Sequence, residues 1–329
     1  MKNFNKNFLF SCRPIIEGVV RKCADNQNEA FNDLKNKYAT EMTERKKLFN
    51  IVQELKGNIR VYCRVRPLSA SELESCLECQ EDNMLMISNK ETNEFKNFEY
   101  DKIFNQNSKQ EEVFKEVQPL ITSILDGYNV CIFAYGQTGS GKTYTMQGPK
   151  ENPGVFTRAI IELFKIIKER VEPYEYLLEI ELLEIYNENI RDLLSKDQNA
   201  KLEIKQGPNG NFVPGLTSIA VKAPEEVENY LEFGTKNRAV GKTNMNEYSS
   251  RSHLIFTINI NGKNRMNNNN FSGKLHLIDL AGSERLAKTK VQGEAQKESI
   301  AINKSLTALG DVIAARANKT LIFLSAIRP

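Results

Sequence analysis

An α/β architecture, with a central sheet flanked by helices and a long helix in front of it, is predicted by three observations. From Ile59 onward, β-rich runs (59–65, 130–135, 176–185, 254–260, 275–280) alternate with helical stretches such as 111–125 and 157–170. That alternation is the pattern of strands buried between helices. The run 130–135 passes straight into a glycine-rich loop and then into a helical segment. Before Ile59 the composition changes: after Pro14 there is no proline until Pro67, and charged and amide residues dominate.

The 329 residues are 40% hydrophobic, 9% aromatic and 26% charged, enough apolar content for a sizeable core. Collagen-like, disordered and membrane-embedded classes are excluded. The 45 basic and 42 acidic residues leave a formal net charge of +3, so a nucleic-acid-coated chain is not expected and attraction to an acidic partner requires a local patch. No run of 18 apolar residues can insert in a bilayer, and residues 1–10 lack the apolar core of a secretory signal. The six cysteines, spread through a long chain, read as reduced thiols of a cytosolic compartment. Cys76 and Cys79 form one CxxC without a second pair, and His253 and His276 are the only histidines, so a zinc site lacks ligands.

Residues 1–20 carry no well-defined element, and 21–57 read as a neck helix. Phe31, Leu34, Tyr38, Glu41, Arg45, Leu48, Val52 and Leu55 follow alternating 3-4 spacing, a short coiled-coil seam with polar interruptions at Glu41 and Arg45. The seam suits a homodimer or heterodimer; a lone amphipathic helix docked on its own domain fits the same spacing. Gly57-Asn58 stops the helix, and a second domain covers 58–329. The polar run 261–270, with four consecutive asparagines, reads as a solvated loop.

The chemistry is concentrated after strand 130–135. Gly136, Gln137, Thr138, Gly139, Ser140, Gly141, Lys142 and Thr143 form GxxxxGKT, a phosphate loop in its strand-loop-helix context, and place the chain in the three-layer P-loop NTPase fold with a mostly parallel or mixed sheet. The glycines let consecutive N–H groups curl inward, Lys142 reaches the β- and γ-phosphates, and the Thr143 hydroxyl ligates Mg²⁺. Strand 275–280 ends in Asp279, which can hold a magnesium-bound water, and the Gly282 N–H can approach a γ-phosphate. Ser249, Ser250 and Arg251, just before another β-run, supply hydroxyls for metal and phosphate and a guanidinium for Glu284.

Taken together, Arg64-Val-Arg66-Pro67, the phosphate loop, the segment 246–253, Asp279-Leu-Ala-Gly-Ser-Glu284 and Ile302-Asn-Lys-Ser-Leu306 resemble, in order, the motifs of a kinesin motor domain over 59–329. The resemblance implies an ATPase using ATP and Mg²⁺, with Arg64, Arg66, Pro67 and Tyr144 in the nucleotide site and Arg64, Pro67 and Tyr144 flanking adenine. It also implies that Ser250 and Gly282 contact the γ-phosphate as switch I and switch II, and that an Arg251–Glu284 bridge closes when ATP is bound. A signalling GTPase would share the loop and the Asp-x-x-Gly, but the Asn-Lys-x-Asp element that reads guanine is absent.

Between Arg285 and Lys304 lie five basic residues (Arg285, Lys288, Lys290, Lys297, Lys304) against two acidic ones, a local +3. The resemblance makes this span, with Asn303, the microtubule contact, and implies a location in the cytoplasm on the microtubule cytoskeleton, including the spindle. The helix running into strand 59–65 resembles the neck of C-terminal-motor kinesins, which move toward the microtubule minus end. The pattern departs after 311–316: the family continues through a further loop and helix, whereas residues 317–319 pass at once into 320–326, which looks like a returning strand. The usual final helix is also missing. A nucleotide-binding or microtubule-binding protein without motility is therefore the alternative expectation, with apolar surface left uncovered.

Overall fold

The computed structural model describes residues 2–68, 75–89, 92–170, 174–197, 200–207, 210–239, 249–265, 268–284 and 294–318. It divides into two units, Met1–Asn58 and Ile59–Pro329. The first is one helix, α1 (Lys2–Leu55), about 80 Å long at 1.5 Å per residue. It includes the first twenty residues, for which the sequence pattern defines no element, and it passes through Pro14. The apolar seam positions Phe31, Leu34, Tyr38, Leu48, Val52 and Leu55 are all exposed in the single chain.

The second unit is built on a six-stranded sheet. Its members are β6 (Asn129–Ala134), β7 (Tyr174–Tyr186), β8 (Asn189–Asp192), β11 (Ile219–Val221), β12 (Ser252–Asn264) and β13 (Asn270–Asp279). The order is β11-β7-β12-β13-β6, with β8 also pairing β7. The sheet is mixed, but only β13 and β6 run parallel; the other pairings are antiparallel. Smaller pieces flank it: β1 (Tyr62–Arg64) pairs with β5 (Lys102–Phe104), β2 (Leu77–Cys79), β3 (Met84–Asn89) and β4 (Glu94–Glu99) form a meander, and β9 (Lys205–Gly207) pairs with β10 (Gly210–Phe212). The helices are α2 (Gln110–Leu125), α3 (Lys142–Met146), α4 (Val155–Glu169), α5 (Pro224–Ala239) and α6 (Glu294–Ala317).

Strand alternation explains the layering. Leu178, Ile180 and Leu182 of β7, Leu254, Phe256, Ile258 and Ile260 of β12, and Leu275 and Leu277 of β13 share one face, where they form one apolar core with Ile121, Ile124 and Leu125 of α2 and Phe156, Ile160 and Leu163 of α4. At the roughly 25 cal/mol per Å² of buried apolar area, this cluster supplies most of the driving force for folding. The opposite face carries cross-strand polar pairs instead: Asn259 Nδ2 donates to Glu181, and Thr257 bonds His276 Nδ1 at 2.9 Å. Helix α6 is tied to that face by side-chain bonds described below, and among the described residues none of its apolar side chains is fully buried.

The asparagine-rich run departs from the expected loop. Residues 261–264 continue β12, paired on one side with β7 as far as Asn264↔Tyr174 and on the other with β13 as far as Lys263↔Asn270. Two neighbouring strands satisfying the backbone outweigh the low strand preference of asparagine. The expected returning strand 320–326 lies outside the described residues.

Candidate functional site

Sheet register brings the chemistry to one end. Parallel β6 and β13 place Ala134 beside Asp279 at their carboxyl ends, and antiparallel β12 sets Leu254, near its own start, against Asp279. The loop leaving β6, the segment leaving β13 and the segment entering β12 must therefore meet where ligands of such sheets are held.

The loop has the conformation its glycines were expected to permit. Gly139 (φ 79°) and Gly141 (φ 95°) are left-handed, positions that an L side chain occupies only with strain, and α3 begins at Lys142. The Lys142 ammonium donates to the carbonyls of Gly136 (2.9 Å) and Gln137 (3.0 Å). Burial pulls its pKa below the ordinary lysine value, opposed by Asp279 and Glu284. Thr143 Oγ1 donates to Asp279 Oδ2 at 2.7 Å, and Gln147 Nε2 reaches the same oxygen at 3.3 Å. Burial raises the Asp279 pKa against the Thr143 hydrogen bond and the nearby cations.

Asp279 Oδ1 is buried and, among the described residues, has no hydrogen-bond partner. An orphaned carboxylate oxygen beside a threonine hydroxyl is the hard-oxygen set that a magnesium ion and its waters use, so Thr143 and Asp279 fit that cation. Ser250, the other expected ligand, is near through its backbone: its carbonyl accepts the Gly282 N–H at 2.7 Å. The Gly282 N–H thus joins the two expected switches directly. A Cβ on Gly282 would collide with the Glu284 carboxylate and the Thr138 hydroxyl.

The Arg251–Glu284 bridge is expected with ATP bound; here the two residues have other partners. Glu284 accepts from the Thr138 N–H (2.8 Å) and from its hydroxyl (2.5 Å). Partial burial pushes its pKa up, but these hydrogen bonds and Lys142 outweigh that, leaving the carboxyl below its ordinary value. Arg251 instead donates to Glu298 Oε2 at 2.7 Å.

Arg64, expected beside adenine, is a strut. Its Nη1 donates to Gln110 (2.8 Å) and Thr145 (3.0 Å), and its guanidinium lies 5.2 Å from the centre of the half-exposed Tyr144 ring. Gln110 in turn donates to the Tyr144 carbonyl at 2.7 Å. Arg66 and Pro67 are exposed next to each other, Arg66 donating to the Pro67 carbonyl.

Three supporting groups escaped sequence reasoning. Glu184, fully buried, accepts from Arg191 (3.1 Å) and Arg238 (3.0 Å), and Arg238 goes on to Ser252 Oγ (2.8 Å) and the Ser249 carbonyl (3.4 Å), anchoring the entry to β12. His253 Nδ1 accepts the Ala281 N–H at 3.1 Å, so its proton is on Nε2, which donates to Ser305 Oγ at 2.8 Å; Ser305 then donates to the Ile302 carbonyl. Burial, with Arg238 adding to it, lowers His253 to about 4. Tyr186 donates to Glu298 Oε1. Only His253 sat in a recognised motif, and nothing in the sequence gave it a partner.

Of the expected track contacts, Lys297 is exposed on α6, Asn303 is half-buried, and Lys304 pairs with Glu188 at 2.6 Å in an exposed bridge. Lys288 and Lys290, with residues 246–248 of the switch I sequence, lie outside the described residues.

A phosphate loop at the carboxyl end of β6, a carboxylate at the end of β13 and two segments joined through Gly282 define a nucleotide-binding protein of the P-loop α/β class. The profile of the family described as "Kinesin motor domain" matches residues 64–324. The chain is 51% identical over 295 residues to the kinesin-like protein KIN-14E of Oryza sativa subsp. japonica (87% of this chain, 27% of that protein). To KIN-14R of Arabidopsis thaliana it is 48% identical over 313 residues (93% of this chain, 28% of that protein). It thus spans about a quarter of the length of these relatives. A solved structure described as the C-terminal motor and motor homology domain of Kar3Vik1, fused to a synthetic heterodimeric coiled coil, superposes with a TM-score of 0.83 at 37% identity, covering 96% of this chain and 84% of that one. The motor domain of Kar3 from Saccharomyces cerevisiae gives 0.70 at 39% identity, covering 83% and 84%. The chain belongs to the kinesin motor domain family.

Proposed function

We propose that this chain is an ATP-driven microtubule motor, hydrolysing ATP at the site around Lys142, Thr143 and Asp279 and moving toward the microtubule minus end. The observation that supports the reading is the Gly282 N–H donating to the Ser250 carbonyl, which joins the two segments expected to sense the γ-phosphate, next to the Ser283 N–H donating to the Gly136 carbonyl of the loop. The minus-end direction follows the C-terminal-motor relatives rather than a feature of the site.

Each residue then has a task. The loop from Gly136 to Thr143 positions the phosphates, and the Lys142 ammonium exchanges two carbonyl partners for phosphate oxygens. Thr143, Ser250 and, through water, Asp279 would hold magnesium, which would supply positive charge to neutralise the phosphates. Gly282 and Ser250 turn from one another to the γ-phosphate, and Arg251 and Glu284 close beside it. Losing that phosphate restores the present contacts, so both segments report what is bound. Arg64, Arg66, Pro67 and Tyr144 border the base.

The track is the microtubule, met by Lys288, Lys290, Lys297, Asn303 and Lys304. The lysines attract an acidic surface, and the Lys304–Glu188 bridge, exposed on both sides, costs little to give up. The seam on α1 supports dimerisation with a like or related chain. The location that follows is the cytoplasmic microtubule array, the spindle included. ATP turnover with and without microtubules tests the reading. Strong stimulation is expected; nucleotide binding with no stimulation would instead establish the non-motile alternative.

A further inference from the structure

The CxxC of Cys76 and Cys79 has no part in the nucleotide site. Both are exposed free thiols at the start of the meander, and they cannot bond each other. β2 is extended, and the Cys76 carbonyl already accepts the Ser88 N–H of the neighbouring strand. Three residues of strand put the two Cα atoms about 10 Å apart, beyond the roughly 7 Å a disulfide spans, and alternation turns the side chains to opposite faces.

Cys79 has a different thiol within its reach. It pairs across the ladder with Leu85, and residues directly opposite share a face of the sheet. Leu85 is 4% exposed and forms, with Val65 and Ile103, a small core apart from the main one. Cys63 of β1 packs against that core, as does Leu77, two residues before Cys79 and on the same face. β5 closes the geometry: Ile103 pairs with Cys63, and its N–H donates to the carbonyl of Asp82, in the turn between β2 and β3, at 2.6 Å. The half-buried Cys63 thiol is held above its ordinary pKa, chiefly by burial and then by Cys79, so the two sulfurs feel each other's charge.

We propose that Cys63 and Cys79 are a peroxide-sensitive thiol pair whose disulfide staples β1 to the meander. The exposed Cys79 reacts first. Its thiolate sulfur attacks one oxygen of hydrogen peroxide, the O–O bond breaks, and the departing hydroxide takes up a proton as water, leaving Cys79 a sulfenic acid. Cys63 then loses its proton and attacks the Cys79 sulfur; the S–O bond breaks, the hydroxide leaves with that proton as a second water, and the S–S bond forms. The two sulfurs give up two electrons, and one peroxide is reduced to two waters. Because Arg64 follows Cys63, the staple lies one residue from the strut that reaches Gln110 and Thr145.

Peroxide treatment of the reduced full chain, followed by digestion without reductant and mass spectrometry, tests the pairing. The Cys63–Cys79 linkage should dominate, form at least about fivefold more in the folded chain than in urea, and disappear with dithiothreitol. The linked chain should melt about 5 °C above the reduced one, since the bond closes a loop of about 16 residues in the unfolded chain. Cys76→Ser should link as the parent does. Cys79→Ser, at an exposed position, should keep the reduced midpoint and show no rise with peroxide. A Cys76–Cys79 or intermolecular bond in place of this one, equal yield in urea, Cys79 carried on to the sulfinic acid with Cys63 still a thiol, or a linked chain that melts no higher than the reduced one would overturn it.

Discussion

At the scale of single residues, the site separates binding from bond breaking. On the proposed function Lys142 meets the phosphates, so Lys142→Ala should abolish nucleotide binding in a fluorescent-nucleotide titration. Glu284 accepts two hydrogen bonds from Thr138, and its proposed task is to close beside the γ-phosphate rather than to hold the nucleotide, so Glu284→Ala should leave nucleotide binding intact and stop turnover; normal turnover would remove Glu284 from that task. His253 makes a pH prediction. Its pKa of about 4 in the fold lies below the unfolded value near 6.5, so the unfolded chain binds the extra proton between those limits. Its contribution to stability is whole above about pH 6.5 and is lost as pH falls toward 4, on the order of 3 kcal/mol in all. Urea unfolding across that range should be less steep in pH for His253→Asn than for the parent chain; equal slopes would place the histidine's titration elsewhere.

At the scale of elements, the buried Glu184 binds β7, β8 and α5 together and, through Arg238, fixes where β12 begins. Glu184→Gln leaves Arg238 without its counter-charge in a site where that guanidinium is 8% exposed, and should cost about 3–5 kcal/mol in urea unfolding. Replacing Arg238 with methionine as well should recover part of the loss. The elements themselves were legible unevenly. Strands 130–135, 176–185, 254–260 and 275–280 were readable because each carries a long β-rich run that the sheet buries. The pieces β2 to β4 and β8 to β11 were not, since strands of three to six residues with exposed faces carry little periodicity. Only the ends of the polar run 261–270 depart from the expected loop, 261–264 in β12 and Asn270 in β13, for the complementary reason: composition reports local preference, and neighbouring strands overrode it there.

At the scale of the whole molecule, contact between distant residues is what the sequence withheld. The loop, Thr143 and Asp279 could be placed in one site because their motifs carry fixed chemistry. The pairing of Arg251 with Glu298 and of His253 with Ser305 depends on how α6 lies on the sheet, and Glu184 meets Arg238 from a helix 54 residues away; no local pattern encodes either. The charge asymmetry is legible on both levels: a chain of net +3 owes any acidic partner to one basic span. Neutralising Lys288, Lys290 and Lys297 together should weaken microtubule co-sedimentation most at low salt and progressively less as ionic strength shortens the range of the interaction. No change at low salt would reduce that span to ordinary surface.

The central claim is that a magnesium-bound triphosphate is gripped by the loop from Gly136 to Thr143 and sensed through Gly282 and Ser250. Titration calorimetry of the whole chain with magnesium ATP tests it most directly. One-site uptake that disappears in Lys142→Ala is the predicted result; absence of uptake by the folded parent chain, or uptake undiminished by that substitution, would contradict it.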